Sequence, residues 1–233
     1  MNQFVQAIKD LDLPAVERLL DTQPKWLSWA EKDGKNPLHY LCGVEIAKQP
    51  DKVGTSLQML KLFLGKGMDI NSVHRIEDGG CNIFPATPLW YAYTRGRNEV
   101  LYSYLLDNGA DPEHCMYAIA WYNDVPAAEL FKKHGAKIEI EGATDTPFLG
   151  AYNWKRFEIA EWFLQNGANV NAVDPKGNTA LYYAVKRKHP DEVIKMLLKF
   201  GADINHQNKE GVSPKKLAET NRQRKILKLF GII

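Results

Sequence analysis

Few residues of this 233-residue chain have the types and spacing of a catalytic or metal site. His114 and Cys115 are adjacent, and neighbouring residues on a helix point about 100° apart, which suits neither a catalytic pair nor a shared metal ion. Cys81 follows His74 and Asp78 in sequence, but a thiol nucleophile needs a base held in place beside it. The sequence alone does not place such a base beside the Cys81 thiol.

The sequence also lacks the local motifs that usually announce catalysis or metal binding. It contains no Gly-x-x-x-x-Gly-Lys-Ser/Thr phosphate loop, no His-Glu-x-x-His and no Gly-x-Ser-x-Gly. Its three cysteines never form a Cys-x-x-Cys pair, so no zinc spacing is present. We therefore predict no catalytic residue, no metal site and no cofactor, and a protein that is not an enzyme.

The composition is that of an ordinary globular protein. Apolar residues make up 45% and charged residues 25%. Thirty Lys and Arg against 28 Asp and Glu give a net charge of +2, which offers no overall attraction for nucleic acid. No apolar run approaches the ~18–20 residues of a membrane span, and Met1–Phe4 does not open a secretory signal. Together with the odd, sparse cysteine set, this predicts a reducing, cytoplasmic location.

The elements that must position any functional residue are revealed by two recurring tags. The first tag is four residues long. It begins with a glycine and a small or apolar residue, continues with a third residue that is usually Asp or Asn, and ends with a mostly apolar residue. It starts at Gly67, Gly109, Gly135, Gly167 and Gly201, at steps of 42, 26, 32 and 34 residues. The second tag precedes each glycine and is centred on a Thr-Pro-Leu pattern, as in Thr87-Pro88-Leu89 and Thr146-Pro147-Phe148. Between the tags, apolar doublets at i, i+1, i+4 and i+5 predict a helix with one apolar stripe.

The two tags in phase resemble the ankyrin repeat, with its period of about 33 residues and its Thr-Pro-Leu-His-x-Ala signature. The resemblance implies an all-α solenoid of stacked helix-turn-helix units with β-turn fingers. The chain also looks similar to bacterial proteins built from ankyrin repeats alone. Thr87, Thr146 and Thr179 are predicted to cap the inner helices, and the glycines to end the outer helices.

The predicted boundaries make the whole chain, 1–233, one domain. An N-terminal cap covers 1–32 and a C-terminal cap covers 206–233. The repeats between them are predicted at 33–71, 72–112, 113–139, 140–171 and 172–205.

Two insertions depart from the repeat. For 43–56 the pattern favours variation of loop length without a function, which solenoids tolerate because each repeat contacts only its neighbours. For 72–86 it favours a share in a binding face, because Ile76, Ile83 and Phe84 are apolar residues that a free loop would not need.

The resemblance also points to partner-binding positions, because two positions of each inner helix face the concave groove in the family and vary with the partner. This chain is rich in aromatics, with six Trp and ten Tyr, and Trp and Tyr are enriched at binding hot spots. Packing of these rings against the neighbouring inner helix is the alternative. The predicted partner-binding residues are Phe84, Tyr93, Arg95, Trp121, Tyr122, Tyr152, Trp154, Lys186 and Arg187.

Three functions follow from these observations. The first is a monomeric, non-enzymatic module that binds a partner protein through its concave inner-helix face and its fingers. The second is a nucleic-acid-binding solenoid that uses Arg95, Trp154, Lys186 and Arg187, with the tryptophan as a stacking platform. The third is a bacterial effector or immunity protein that masks its target. The first is favoured; nucleic acid is disfavoured by the net charge, and no membrane association is expected.

Overall fold

The computed structural model describes residues 2–77, 83–139 and 146–233, which fall into two compact units. The first, here called the N-unit, comprises Met1–Cys115 with His134–Ala136. The second, the C-unit, comprises Met116–Lys133 with Lys137–Ile233. The single domain expected from the repeats stays a prediction.

In its described residues, the N-unit contains six α-helices in two layers and one hairpin. Its inner helices α1, α3 and α5 pack in series, and its outer helices α2, α4 and α6 pack in a parallel series. The helices are α1 Gln3–Lys9, α2 Leu13–Thr22, α3 Pro37–Cys42, α4 Val53–Gly65, α5 Pro88–Tyr91 and α6 Glu99–Asp107. Helix α5 continues into a wider π-helical turn, Ala92–Gly96, and a short 3₁₀ helix, Pro24–Ser28, follows α2.

The C-unit repeats the same two-layer pattern. Its inner helices α7, α9, α11 and α13 pack in series, and among the outer helices α8 packs on α10 and α12 on α14. The helices are α7 Met116–Tyr122, α8 Val125–Lys133, α9 Pro147–Asn153, α10 Phe157–Gln165, α11 Ala180–Arg187, α12 Asp191–Lys199, α13 Pro214–Thr220 and α14 Arg224–Leu229. The layered helix pairs confirm the predicted all-α solenoid.

The predicted helix ends are present. Thr87, Thr146 and Thr179 each accept a hydrogen bond from the backbone N–H three residues on, at the start of an inner helix. After the outer helices, Gly109 and Gly201 have φ of +85°, the left-handed conformation that favours glycine. Both predictions are confirmed, because capping and left-handed closure depend on local sequence.

The two insertions have regular structure. Within 43–56, two short 3₁₀ turns, Ile46–Lys48 and Pro50–Lys52, lead into α4, so the insertion also supplies the first turn of that helix. Within 72–86, strands β1 (His74–Glu77) and β2 (Ile83–Ala86) pair antiparallel, with His74 opposite Ala86 and Glu77 opposite Ile83. This finger is therefore a two-stranded ribbon.

An asparagine joins successive loops in the same way in each unit. In the N-unit, Asn71 accepts from the backbone N–H of Asp111 at 2.8 Å and donates to the carbonyl of Gly109 at 3.4 Å. In the C-unit, Asn171 accepts from the N–H of Asp203 at 2.8 Å and donates to the carbonyl of Gly201 at 3.1 Å. Each amide thus satisfies both a donor and an acceptor of the next loop.

Candidate functional site

Three aromatic rings of the C-unit form a cluster on its inner helices. The ring of Trp154, just after α9, lies 4.7 Å from that of Trp121 and 5.5 Å from that of Tyr117, both on α7, at interplanar angles of 79° and 82°. Edge-to-face pairs at such distances are favourable beyond their buried area. We call Tyr117, Trp121 and Trp154 the aromatic cluster.

The cluster depends on a glycine of α9. A Cβ atom at Gly150 would lie 3.1 Å from Tyr117 Oη and 3.2 Å from Trp154 Cη2, closer than side chains normally pack. The absent side chain therefore lets the two rings meet over the helix. On the neighbouring segment, Arg156 Nε donates to the Trp121 carbonyl at 3.2 Å and holds the end of α7.

Trp121 is the ring of this cluster that faces solvent. It is 49% exposed, whereas every other aromatic side chain in the described residues is buried or half-buried. Tyr122 and Trp154 are half-buried. Since a tryptophan buries about 150–250 Å² when covered, Trp121 leaves a large apolar area open on the inner-helix face.

The last turn of α11 adds positive charge to the inner helices of the C-unit. Lys186 and Arg187 are both exposed. The Lys186 ammonium lies 5.5 Å from the ring centroid of Tyr182, and the Arg187 guanidinium lies 4.4 Å from that of Tyr183. These cation–π contacts restrain both side chains without removing their charge from the surface.

In the N-unit, the predicted residues Phe84 and Arg95 both meet Trp90. The half-buried Phe84 ring lies 5.2 Å from that of Trp90 and 6.0 Å from that of His114, so the hairpin is anchored through it. Arg95 is exposed, and its guanidinium lies 5.8 Å from the Trp90 ring centroid. Arg95 remains accessible, while Phe84 mostly packs.

The N-unit also has a groove that the sequence did not predict. A cavity of about 420 Å³ opens beside α1, α3 and α5. We call it the cationic groove, defined by five of its lining residues, Lys9, Lys35, Tyr40, Tyr91 and Arg95. No local motif marks it, because its residues come from three successive repeats.

A hydrogen-bonded chain, buried at His74 and Tyr91 and exposed at Asp33, holds the hairpin beside this groove. His74 of β1 bonds to Tyr91 Oη through Nδ1 at 2.7 Å and to Asp33 Oδ2 through Nε2 at 2.9 Å. Burial alone would raise the pKa of Asp33, but hydrogen bonds from the Lys35 backbone and His74 lower it. The pKa of Tyr91 is raised, because burial disfavours its ionised form. The order resembles that of a catalytic triad, but a hydroxyl with a raised pKa is a poor nucleophile.

Comparison with known proteins gives a consistent assignment. A family model described as ankyrin repeats (3 copies) matches residues 148–231. A putative ankyrin repeat protein of Rickettsia bellii is 36% identical over 75 residues, 32% of this chain and 31% of its own length. The probable 26S proteasome regulatory subunit p28 of Saccharomyces cerevisiae is 22% identical over 94% of both chains. Residues 148–231 of this chain thus match ankyrin repeats.

A solved structure shares the fold of this chain. The crystal structure of the ankyrin repeat domain of Bcl-3 matches with a TM-score of 0.72 at 22% identity, over 98% of both chains. The matched stretches span between 12% and 31% of the Rickettsia protein and of three viral ankyrin-repeat proteins. Ankyrin-repeat domains are typical protein–protein interaction modules and generally non-enzymatic scaffolds.

Two of the predicted partner-binding residues belong instead to the core of the ankyrin repeats. Tyr93 is 2% exposed and Tyr152 is fully buried. Each ring turns toward its outer helix: Tyr93 meets Tyr102 at 5.7 Å, and Tyr152 meets Phe157 at 5.7 Å. The sequence showed residues larger than the family pattern expects, and the structure accommodates them inside the repeat. Tyr93 and Tyr152 are therefore removed from the binding surface.

Of the two cysteines considered for catalysis, only Cys115 lies in the described residues. The thiol considered at Cys81, with Asp78, lies outside the described residues. Cys115 is buried and its thiol pKa is raised by that burial, which disfavours the reactive thiolate. Within 2–77, 83–139 and 146–233, no group of three or more His, Cys, Asp and Glu side chains could hold a metal ion. In the same ranges, no helix is long and apolar enough to cross a membrane.

Proposed function

We propose that this ankyrin-repeat protein binds a partner protein through the inner-helix face of its C-unit, with Trp121 as the central contact. The observation that carries the proposal is the 49% exposed Trp121 ring, held edge-to-face on Trp154. Covering the open part of such an indole is worth about 2–3 kcal/mol at 25 cal/mol per Å². Tyr122, Lys186 and Arg187 belong to the same proposed surface.

Preorganisation supports this choice of residue. Trp154 is fixed between Trp121 and Tyr117, and the carbonyl of Trp121 accepts from Arg156. A partner would therefore lose little free energy in ordering the anchor, and affinity benefits when that cost is low. Lys186 and Arg187 favour a partner whose apolar contact is accompanied by acidic groups.

The N-unit finger contributes a second proposed contact. Ile83 in strand β2 is 58% exposed, and the strand is anchored beneath it by Phe84. A fixed ribbon with an apolar side chain directed to solvent suits recognition better than a free loop. The chain would act as a monomer by occupying a surface of its partner. We place it in the cytoplasm, because the free buried thiols Cys42 and Cys115 suit a reducing compartment. Masking of a target fits both an effector and an immunity protein.

Site-directed photocrosslinking in the source cell tests the anchor. With p-benzoylphenylalanine in place of Trp121, we expect one or a few defined protein adducts. The control places the same group at Val100, an exposed residue of the outer helix α6. Wild-type chain should suppress the adducts at position 121, and a Trp121→Ala competitor should suppress them less. Equal adducts at both positions, or none at position 121, would contradict the proposal.

A further inference from the structure

We propose that the cationic groove of the N-unit binds the carboxylates of a short acidic segment in a protein partner. The inference rests on the proposed function, because the carboxylates belong to a protein, but it concerns a different surface. It uses Lys9, Lys35 and Arg95 as the charged contacts, with Tyr40 and Tyr91 as the rings that hold the lysines. Of these five residues, the sequence indicated only Arg95.

The two lysines are gathered on tyrosine rings. The Lys35 ammonium lies 4.6 Å from the ring centroid of Tyr40 and 5.5 Å from that of Tyr91, and the Lys9 ammonium lies 5.3 Å from the same Tyr40 ring. Both ammonium groups therefore lie within about 10 Å of each other, the Debye length at 0.1 M salt. Their repulsion is reduced when an anion binds between them.

The groove wall carries no acidic side chain of its own among the described residues. Two carboxylates close to the lining tyrosines, Glu31 and Asp33, are each held by a hydrogen bond. Tyr40 donates its hydroxyl hydrogen to Glu31, and Asp33 lies 2.9 Å from His74 Nε2 and accepts from the Lys35 backbone N–H at 3.2 Å. The lining His39 is kept neutral, since burial lowers its pKa to about 4. The charged residues of the lining itself, Lys9, Lys35 and Arg95, are therefore all positive.

Arg95 adds a charge whose geometry suits a carboxylate. The guanidinium presents paired N–H donors that match the two oxygens of a carboxylate. The side chain is exposed, and its guanidinium is kept near the inner helices by the Trp90 ring at 5.8 Å. It projects from the π-helical turn Ala92–Gly96, and such turns are often found at functional sites.

The size of the groove favours a peptide segment. A cavity of about 420 Å³ is within the range of pockets that hold small ligands, and it accepts one or two side chains rather than a folded surface. The rings of Tyr40 and Tyr91 supply apolar contact for the methylene groups of Glu or Asp. Consecutive acidic residues would place one carboxylate near the lysine pair and another near Arg95.

Fluorescence anisotropy with a labelled hexaglutamate peptide tests the groove directly, using the full chain at low salt. We expect saturable binding that weakens as salt is added, and no binding of hexaglutamine. Lys35→Glu and Arg95→Glu should each weaken binding by about tenfold or more, and Lys35→Gln and Arg95→Gln by less. Circular dichroism of every variant confirms that it is folded.

The matched control is Lys61→Glu. Lys61 also lies over a tyrosine, with its ammonium 5.2 Å from the Tyr104 ring, but it is on α4 and outside the groove. Its variant makes the same charge change and should bind hexaglutamate within about twofold of wild type. Equal loss in Lys61→Glu, or no binding by wild type, would overturn the inference.

A further comparison separates carboxylates from phosphates. A glutamine peptide containing phosphoserine should bind more weakly than hexaglutamate; tighter binding would overturn the carboxylate assignment and indicate a phosphate site. Photocrosslinking at position 121 is the independent measurement for the proposed function. If hexaglutamate fails to bind while those adducts persist, only the groove is rejected.

Discussion

His39 shows how one buried side chain ties two repeats together. It is fully buried, and its Nε2 lies 3.2 Å from the carbonyl oxygens of both Ser72 and Ala86. Carbonyl oxygens only accept, so Nε2 carries the proton. The side chain of Asn36 in turn caps the helix that holds His39. The histidine thus binds the backbone of the neighbouring repeat.

The burial of His39 predicts a pH-dependent stability. Its folded-state pKa is about 4, below the ordinary 6.5, so between these values the unfolded chain binds more protons. The contribution of neutral His39 to the free energy of unfolding is therefore complete above pH 6.5 and is lost as the pH drops toward 4. We expect His39 to contribute about 2–3 kcal/mol to the loss between pH 7.5 and 4.5, measured by urea unfolding.

The comparison is with His39→Gln, which keeps a side-chain donor but does not titrate. The variant should be less stable at pH 7.5 and lose less stability on acidification. His189, whose pKa is also lowered by burial, acts in the same direction in both proteins. Parallel pH profiles for wild type and variant would show that His39 does not carry this effect.

At the scale of elements, the end of α5 is set by a close approach to α3. A Cβ atom at Gly96 would lie 2.2 Å from the Cys42 carbonyl oxygen and 3.2 Å from that of Val44. Only a residue without a side chain fits there, and the π-helical turn Ala92–Gly96 brings the backbone to this position. The cationic groove, which includes Arg95 of the same turn, depends on this packing.

Gly96→Ala is expected to destabilise the protein by more than about 2 kcal/mol, because the obstacle is backbone that cannot swing aside. The matched change is Gly54→Ala in α4, where nothing lies within 4 Å of the added Cβ atom. That variant should stay within about 0.5 kcal/mol of wild type or gain slightly. Urea unfolding measures both, and similar values for the two variants would contradict the packing account.

The elements also show how far sequence alone could go. Capping threonines and closing glycines act on their own backbone, so their positions followed from local pattern. The direction of the Tyr93 and Tyr152 rings did not, because it depends on space beside the outer helices. The cationic groove was missed for a similar reason: Lys9, Lys35 and Arg95 become neighbours only when successive repeats stack.

At the scale of the whole molecule, charge is nearly balanced. The 30 basic and 28 acidic residues leave a net charge of +2, and several exposed cations are held on tyrosine rings of their own unit. Nucleic-acid affinity grows with the number of phosphates that a surface neutralises. A nearly balanced charge therefore gives little overall attraction for nucleic acid.

We therefore expect no binding of labelled single-stranded or duplex DNA at micromolar protein and low salt. Fluorescence anisotropy measures this, with hexaglutamate as the positive probe in the same buffer. The matched variant replaces Lys186 and Arg187 by alanine and should leave both results unchanged. Salt-dependent DNA binding that this double variant abolishes would instead favour the nucleic-acid function.

The asparagine clamps have a consequence for how such a chain can change length. Asn71 and Asn171 each complete the hydrogen bonds of the following loop with the same two contacts. When a residue of the repeat itself bonds the backbone of the following loop, no other residue has to change to satisfy that loop's hydrogen bonds. Duplication of a repeat that carries such an asparagine would therefore bring these two loop contacts with it.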